Sequence, residues 1–248
     1  LPSAQLFSLA LLDSSGNQIV LNSNMFHFHQ TETSLQYSAP ENFPELSVNM
    51  HFRITDRAVA FRPEITGIPD GFRLEWFDGP QITVSDSGEL FWPLCEGCVI
   101  EQPKRREESA YGRYRPLSFS IPDKFYGGFY PGFCNLQFLT HHQNGCGIYF
   151  AAHDPSFGPK AVEFAPASPN TTRLSLQTFC GAAEKRYASL FEYILALSEG
   201  NWMDGAEQYR NWLPETPSPK FADWMKDSPV TLIYPVRGHG RDNDGMED

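Results

Sequence analysis

Up to about Ser198 the chain never sustains an apolar period longer than a strand. Runs of four to eight residues, rich in aromatic and β-branched types, alternate with clusters of Gly, Pro, Asn, Asp and Ser. Parallel strands need long crossover connections, usually helical, and no sustained helical stretch separates these runs, so antiparallel pairing is expected. The 20 Phe, 10 Tyr and 5 Trp suit a pleated surface, while 19 Gly and 20 Pro punctuate it.

Two hairpins stand out. Residues 6–12 and 18–21 flank Asp13-Ser14-Ser15-Gly16-Asn17, and residues 51–55 and 58–62 flank Asp56-Arg57. In the second, Phe52 and Ile54 alternate with His51, Arg53 and Thr55, and Val59 and Phe61 alternate with Ala60 and Arg62. The apolar members of each set are expected to face a core. Further runs cover residues 72–77, 81–84, 90–92, 117–121, 136–140, 148–152, 161–164 and 173–178. About a dozen strands exceed a seven-stranded immunoglobulin sandwich, so the expected class is mainly β, a large antiparallel two-sheet β-sandwich.

Near Asn201 the period changes. Trp202, Ala206, Tyr209, Trp212 and Leu213 form one stripe of an α-helix, which Pro214, Pro217 and Pro219 stop. Phe221, Trp224 and Met225 suggest a short second helix. Val230-Thr231-Leu232-Ile233-Tyr234 is then a continuous apolar β run, the kind buried on both faces of a parallel sheet. The expected organisation is a sandwich over 1–199, a helical linker over 200–228, and over 229–248 the first strand and loop of a domain that the chain does not complete.

With 19 Lys and Arg against 30 Asp and Glu, the net charge of −11 repels phosphate backbones and anionic lipid, so neither nucleic acid nor membrane is an expected partner. The run at 6–12 is broken by Ser8, has no basic residue before it and meets Asp13, so it reads as neither signal peptide nor membrane span. Five cysteines cannot all pair within one chain. Cys95-Glu96-Gly97-Cys98 has CxxC spacing, yet Pro93 before it and Gly97 within it suggest a turn, and no set of four ligands completes a zinc site. His27 and His29 share one strand face and His141 adjoins His142, each pair without a clear third ligand. No metal and no cofactor is expected. Asn170-Thr171-Thr172 matches a glycosylation triplet.

Candidate binding residues are few. Residues 126–132 set Tyr126, Phe129 and Tyr130 among Gly127, Gly128 and Gly132, a composition that presents flat faces for sugar stacking on a loop or else covers a core. Glu75 and Glu96 place carboxylates near aromatics, His153-Asp154 reads as a hydrogen-bonded structural pair, and residues 104–108 read as a solvated charge cluster.

Four stretches, taken in order, carry a resemblance: Leu90-Phe91-Trp92-Pro93-Leu94-Cys95-Glu96-Gly97; Tyr130-Pro131-Gly132 leading to Leu136-Gln137-Phe138 and the run Gly147-Ile148-Tyr149-Phe150-Ala151-Ala152-His153-Asp154-Pro155; residues 202–212; and residues 229–234. This order of parts resembles bacterial glycoside hydrolases of the α-galactosidase-like type and their relatives. The resemblance implies a galactose-mutarotase-like supersandwich, a short helical linker and a catalytic (β/α)8 barrel, with carbohydrate as substrate and the missing barrel as partner. It also implies secretion or a periplasmic location. Catalytic carboxylates are then expected on later barrel strands, beyond Asp248, so none is assigned here. If residues 230–234 are barrel strand one, Arg237, His239, Arg241 and Asp242 lie at the rim where barrel sites are built and become substrate-binding candidates, together with Tyr126 and Tyr130. The alternatives are a stand-alone carbohydrate-binding module, a mutarotase-like sugar epimerase that needs a His facing a carboxylate, and a purely structural interaction domain.

Overall fold

Turn chemistry sets the strand boundaries of the computed structural model, which describes residues 5–94, 97–101, 126–168 and 170–214. The Asp13 carboxylate accepts from the backbone N–H groups of Ser15 and Asn17, both at 2.8 Å, and closes the hairpin between β1 (Ser8–Asp13) and β2 (Gln18–Asn22). Asn144 and Gly145, with φ of 54° and 78°, form the two-residue loop between β12 (Phe138–Gln143) and β13 (Cys146–His153). That left-handed pair is the geometry an Asn-Gly hairpin favours.

The remaining strands are β3 (His27–Gln30), β4 (Ser34–Ser38), β5 (Ser47–Ile54), β6 (Ala58–Thr66), β7 (Phe72–Asp78), β8 (Ile82–Ser85), β9 (Glu89–Trp92), β10 (Cys98–Glu101), β11 (Tyr126–Tyr130), β14 (Lys160–Ser168), β15 (Thr171–Ala183), β16 (Arg186–Ala188) and β17 (Glu192–Glu199). They form two antiparallel sheets. One has seven strands in the order β11-β14-β15-β7-β1-β2, with β8 also on β15; the other has ten, β10-β9-β12-β13-β17-β6-β5-β4-β3, with β16 also on β6.

The two sheets share a core in two halves. Phe7, Leu9, Leu11, Leu74 and Phe77 meet Val48, Met50 and Ile65 in one half, while Val162, Phe164, Leu174 and Leu176 meet Trp92, Phe150 and Tyr193 in the other. Phe61 packs against both. Burying each such side chain contributes about 1.5–3 kcal/mol. The mainly β, two-sheet antiparallel expectation holds.

Two compact units divide the chain, Leu1–Pro214 and Glu215–Asp248, and all described residues belong to the first. Within it the expected helix is α1 (Trp202–Trp212), capped by the Asn201 side chain, which accepts from the Met203 N–H at 2.8 Å. It lies on the outer face of the ten-stranded sheet. Trp202 stacks on Phe91 at 5.0 Å and 8°, and Tyr209 sits 5.2 Å from Phe138. Gly205 permits this close docking, because a Cβ there would stand 2.3 Å from Thr140 Cγ2. Among the described residues no helix is long and apolar enough to cross a membrane.

Three expectations change. Ile54 is 68% exposed rather than facing a core, because it ends β5 at an open hairpin tip. Leu213 is 40% exposed because it is the C-cap, beyond the buried stripe. Residues 126–130 are strand β11, paired with β14, rather than loop, because their backbone completes the edge of the seven-stranded sheet. The run at 117–121, the second helix through Phe221, Trp224 and Met225, and the strand at 230–234 lie outside the described residues.

Candidate functional site

Along β14 and β15, Val162, Phe164, Leu174 and Leu176 point into the core, so alternation turns Glu163, Arg173, Ser175 and Gln177 to the outer face of the seven-stranded sheet. Register joins further residues to that face. Phe129 pairs with Ala161, Ala161 with Gln177, Gln177 with Asp78 and Asp78 with Ser8, one row across five strands. Glu163 pairs with Ser175 on one side of the row; Phe179 pairs with Trp76, and Trp76 with Ala10, on the other. The floor of this patch is therefore made of small residues, Ser8, Ala10, Ala161 and Ser175, with two carboxyls, an indole and two phenyl rings standing around it.

The polar groups of the patch are buried: Trp76 is 2%, Asp78 3%, Gln81 5%, Glu163 1% and Gln177 3% exposed. Gln81 Nε2 donates to Asp78 Oδ2 at 2.6 Å and to Ser8 Oγ at 3.1 Å. Five atoms go unanswered. Trp76 Nε1, Asp78 Oδ1, Gln81 Oε1 and both Glu163 carboxyl oxygens have no hydrogen-bond partner, five of the eight such buried side-chain atoms found among the described residues. Buried polar atoms are satisfied in most proteins, so five orphans on one sheet face mark a place where something other than these side chains completes the bonding.

Electrostatics agree with the geometry. Burial raises the Glu163 carboxyl well above the usual range and the nearby Asp78 charge adds to it, with Arg173 opposing. Burial likewise raises Asp78, against Arg173 and the hydrogen bonds of Gln81, Ser175 and Ser8. Perturbed carboxyls that share a site are a feature of functional centres. Phe129 and Phe179 lie 5.6 Å apart on the same face and are half-buried.

The second buried polar group is structural. Lys160 Nζ, wholly buried at the end of the core, bonds Asp154 Oδ2 at 2.5 Å and the Gly158 carbonyl at 2.9 Å, and stands 4.7 Å from the centre of the Phe191 ring. Burial lowers the Lys160 ammonium and Asp154 opposes it. Its donors face acceptors and an aromatic ring, which leaves it nothing to offer a ligand.

The sequence candidates fare unevenly. Tyr130 is 6% exposed and packs into the core, so it presents no face for sugar stacking. Of Tyr126 only its place at the head of β11, paired with Phe164, is described. Arg237, His239, Arg241, Asp242, Cys95, Glu96 and residues 104–108 lie outside the described residues. Glu75 accepts from Gln18 Nε2 at 2.6 Å, away from the acid pair. His153 and Asp154 do not bond each other, because adjacent residues lead to different partners: His153 Nε2 meets the Tyr149 hydroxyl at 2.9 Å, and Asp154 holds Lys160. His27 and His29 are exposed on β3, whereas His141 and His142 are buried against the Ser87 carbonyl and the Ser198 hydroxyl. Cys146 and Cys180 are free thiols, and Asn170 is exposed in the turn after β14.

The acids of the patch were missed because a Glu whose same-face neighbours along the strand are Ala161 and Ala165 reads as a solvated strand face. The alternation of residues 161–165 was visible and its burial was not. No His joins them: of the seven histidines, the six described all lie on the ten-stranded sheet. His51 Nε2 does stand 3.3 Å from Glu64 Oε2, on the solvent-facing side of β5 and β6 rather than beside this acid pair. The described residues contain no group of three or more His, Cys, Asp or Glu able to hold a metal ion.

No family model matches the sequence, and no curated protein matches it. Solved structures do match in fold. An α-N-acetylgalactosaminidase from Bifidobacterium bifidum superposes with a TM-score of 0.53 at 10% identity, over 85% of this chain and 33% of that one. The GH36 α-galactosidase AgaB from Geobacillus stearothermophilus gives 0.50 at 7% identity, over 82% of this chain and 31% of that one. The chain thus spans about a third of the length of the structures it matches. Its fold is like that of the N-terminal region of GH36 glycoside hydrolases.

Proposed function

We propose that the chain is the N-terminal domain of a carbohydrate-active enzyme of the glycoside-hydrolase type, packing on a catalytic barrel and shaping one side of its cleft. The observation that supports this is the lopsided match: 85% of this chain superposes on 33% of an α-N-acetylgalactosaminidase. The order of parts agrees with it, since a capped helix follows the sandwich and an apolar β run at 230–234 comes next. In this reading the two carboxylates that cleave a glycosidic bond belong to the barrel, while Arg237, His239 and Asp242 reach substrate from the loop after its first strand. A galactoside or N-acetylgalactosaminide is the substrate class suggested by the fold neighbours.

The test is the intact mass of the natural gene product, followed by assay of that product on nitrophenyl α-galactoside and α-N-acetylgalactosaminide. A mass more than twice 28.1 kDa with hydrolysis of either compound is expected. A natural product of 28.1 kDa would overturn the reading.

A further inference from the structure

The two ends of α1 are held to the ten-stranded sheet by different chemistry. Its first half has several ties: the Asn201 cap, Asp204 Oδ2 accepting from the Glu199 N–H at 2.7 Å, Gln208 Nε2 donating to the Leu197 carbonyl at 3.0 Å, and Trp202 stacked on Phe91. Tyr209 follows, with its ring on Phe138 and its hydroxyl bonded to Gln137. Beyond Tyr209 the helix meets the sheet through Trp212, whose ring stacks on His153 at 4.4 Å and 16°. An isolated helix of 11 residues is marginal in water, so its last turn depends on that contact.

His153 is half-buried, and its Nε2 lies 2.9 Å from the Tyr149 hydroxyl. Burial raises that hydroxyl, so it keeps its proton; a neutral imidazole can accept it in a hydrogen bond and a protonated one cannot. Among the described residues, the acids around the ring are engaged elsewhere. On β13, Asp154 holds Lys160; on β17, Glu192 pairs in register with His153 but bonds Arg53 of β5 at 3.0 Å. On α1, burial raises Tyr209 and keeps it uncharged, and Arg210 is itself a cation, bonded to Glu207 at 3.3 Å. Burial lowers His153 from 6.5 to about 4. Burial lowers His142 too, and His141 adds to it, but Asp204 of α1 and Glu89 of β9 favour the protonated form there. Acid therefore acts unequally on the two ends of the helix.

We propose that His153 is a proton-operated latch for the end of α1. Neutral, the imidazole holds Trp212, and with it the last helical turn, on the sheet. Protonated, it leaves the stack and the turn lifts from Tyr209 onward, while the first half of α1 and the sandwich stay in place. The difference between about 4 when docked and 6.5 in water weakens docking of this turn by about 300-fold. The indole face and the carbonyl end of the helix each attract a cation and offset part of this, so the expected loss lies between about tenfold and 300-fold. Residues 210–214 then lengthen the connection that leads on to Glu215.

The experiment follows the indole N–H signals of the full chain by NMR from about pH 7.5 to about pH 3.5, a range that spans both values of His153, with circular dichroism reporting the sandwich. Trp212→Phe assigns the reporting signal. That signal is expected to move with a midpoint between pH 4 and 6.5 while the circular dichroism stays unchanged. His153→Gln leaves the Tyr149 hydroxyl a partner but cannot titrate, so its Trp212 signal should show no step. His142→Gln should keep the step. If the Trp212 signal and the circular dichroism change together, the turn is lost only in global acid unfolding and the latch does not exist. A signal that does not move, or an equal step in His153→Gln, overturns it as well. If His153→Gln fails to fold, the imidazole C–H signal of His153 in the unmutated chain decides: it must titrate with the midpoint of the Trp212 signal, and a different midpoint excludes His153 as the trigger.

Discussion

The two sheets of the sandwich each have an outer face, and the faces are built on opposite principles. On the ten-stranded sheet, Phe91, Phe138 and Tyr149 are covered by α1, and the polar groups beneath mostly find partners: Gln137 Nε2 donates to the Tyr209 hydroxyl at 3.3 Å and the Asp154 carbonyl at 3.2 Å. Among the described residues, only Gln137 Oε1 and Thr140 Oγ1 are left unanswered there. On the seven-stranded sheet, small residues form the floor and five buried polar atoms stand unanswered. A face whose cover follows directly in the chain is written in aromatics. A face written in orphaned donors and acceptors is completed by groups that its own strands do not supply.

The largest test of this contrast is Phe138→Ala. Phe138 is fully buried between Phe91, Tyr149 and Tyr209, so truncation should cost about 3–5 kcal/mol in urea unfolding and loosen α1. A loss below about 1 kcal/mol would mean that α1 does not depend on this ring, and the covered-face description would fail. Gly205→Ala is the next test, because its new Cβ lies against Thr140 Cγ2 and within 3.3 Å of Tyr149 Cδ2. Overpacking at such a contact costs about 1–3 kcal/mol, which outweighs the roughly 1 kcal/mol that Ala gains over Gly in a helix. A stabilised variant would place α1 further from the sheet.

Most of the covered face was legible in the sequence. The spacing of Trp202, Ala206, Tyr209 and Trp212 gives the helix and its buried side. What was not legible is Gly205, where α1 docks against Thr140, because a residue without a side chain leaves no mark on an apolar pattern. The polar face of the seven-stranded sheet was legible only as alternation. Residues 161–165 put Val162 inside and Glu163 outside, but whether an outward Glu meets water or is buried depends on chain far away in sequence. β11 was hidden for a related reason: two glycines in five residues read as a turn, although one of them, Gly128, is tolerated in the strand because Cys134 Sγ lies 2.7 Å from where its Cβ would stand. Residue patterns show which way a side chain points. They do not show what arrives opposite it.

Glu163→Gln sharpens the contrast through pH, with the smallest effect in acid. The folded-state pKa of Glu163 is raised, so the folded chain holds a proton that the unfolded chain releases above the ordinary glutamate value of 4.5. Its contribution to stability is complete below that pH and is lost as pH rises toward the folded value. Gln cannot ionise, so the variant should match the unmutated chain near pH 4 and become relatively more stable as pH rises through neutrality. On the covered face the sign reverses: burial lowers His153 from 6.5 to about 4, so its contribution is complete above 6.5 and is lost as pH falls toward 4. His153→Gln should therefore flatten only the acid limb of a stability–pH curve, and Glu163→Gln only the neutral-to-alkaline limb. If Glu163→Gln leaves the alkaline limb unchanged, Glu163 is already ionised and compensated in the folded chain, and the two outer faces are less different than their orphaned atoms imply.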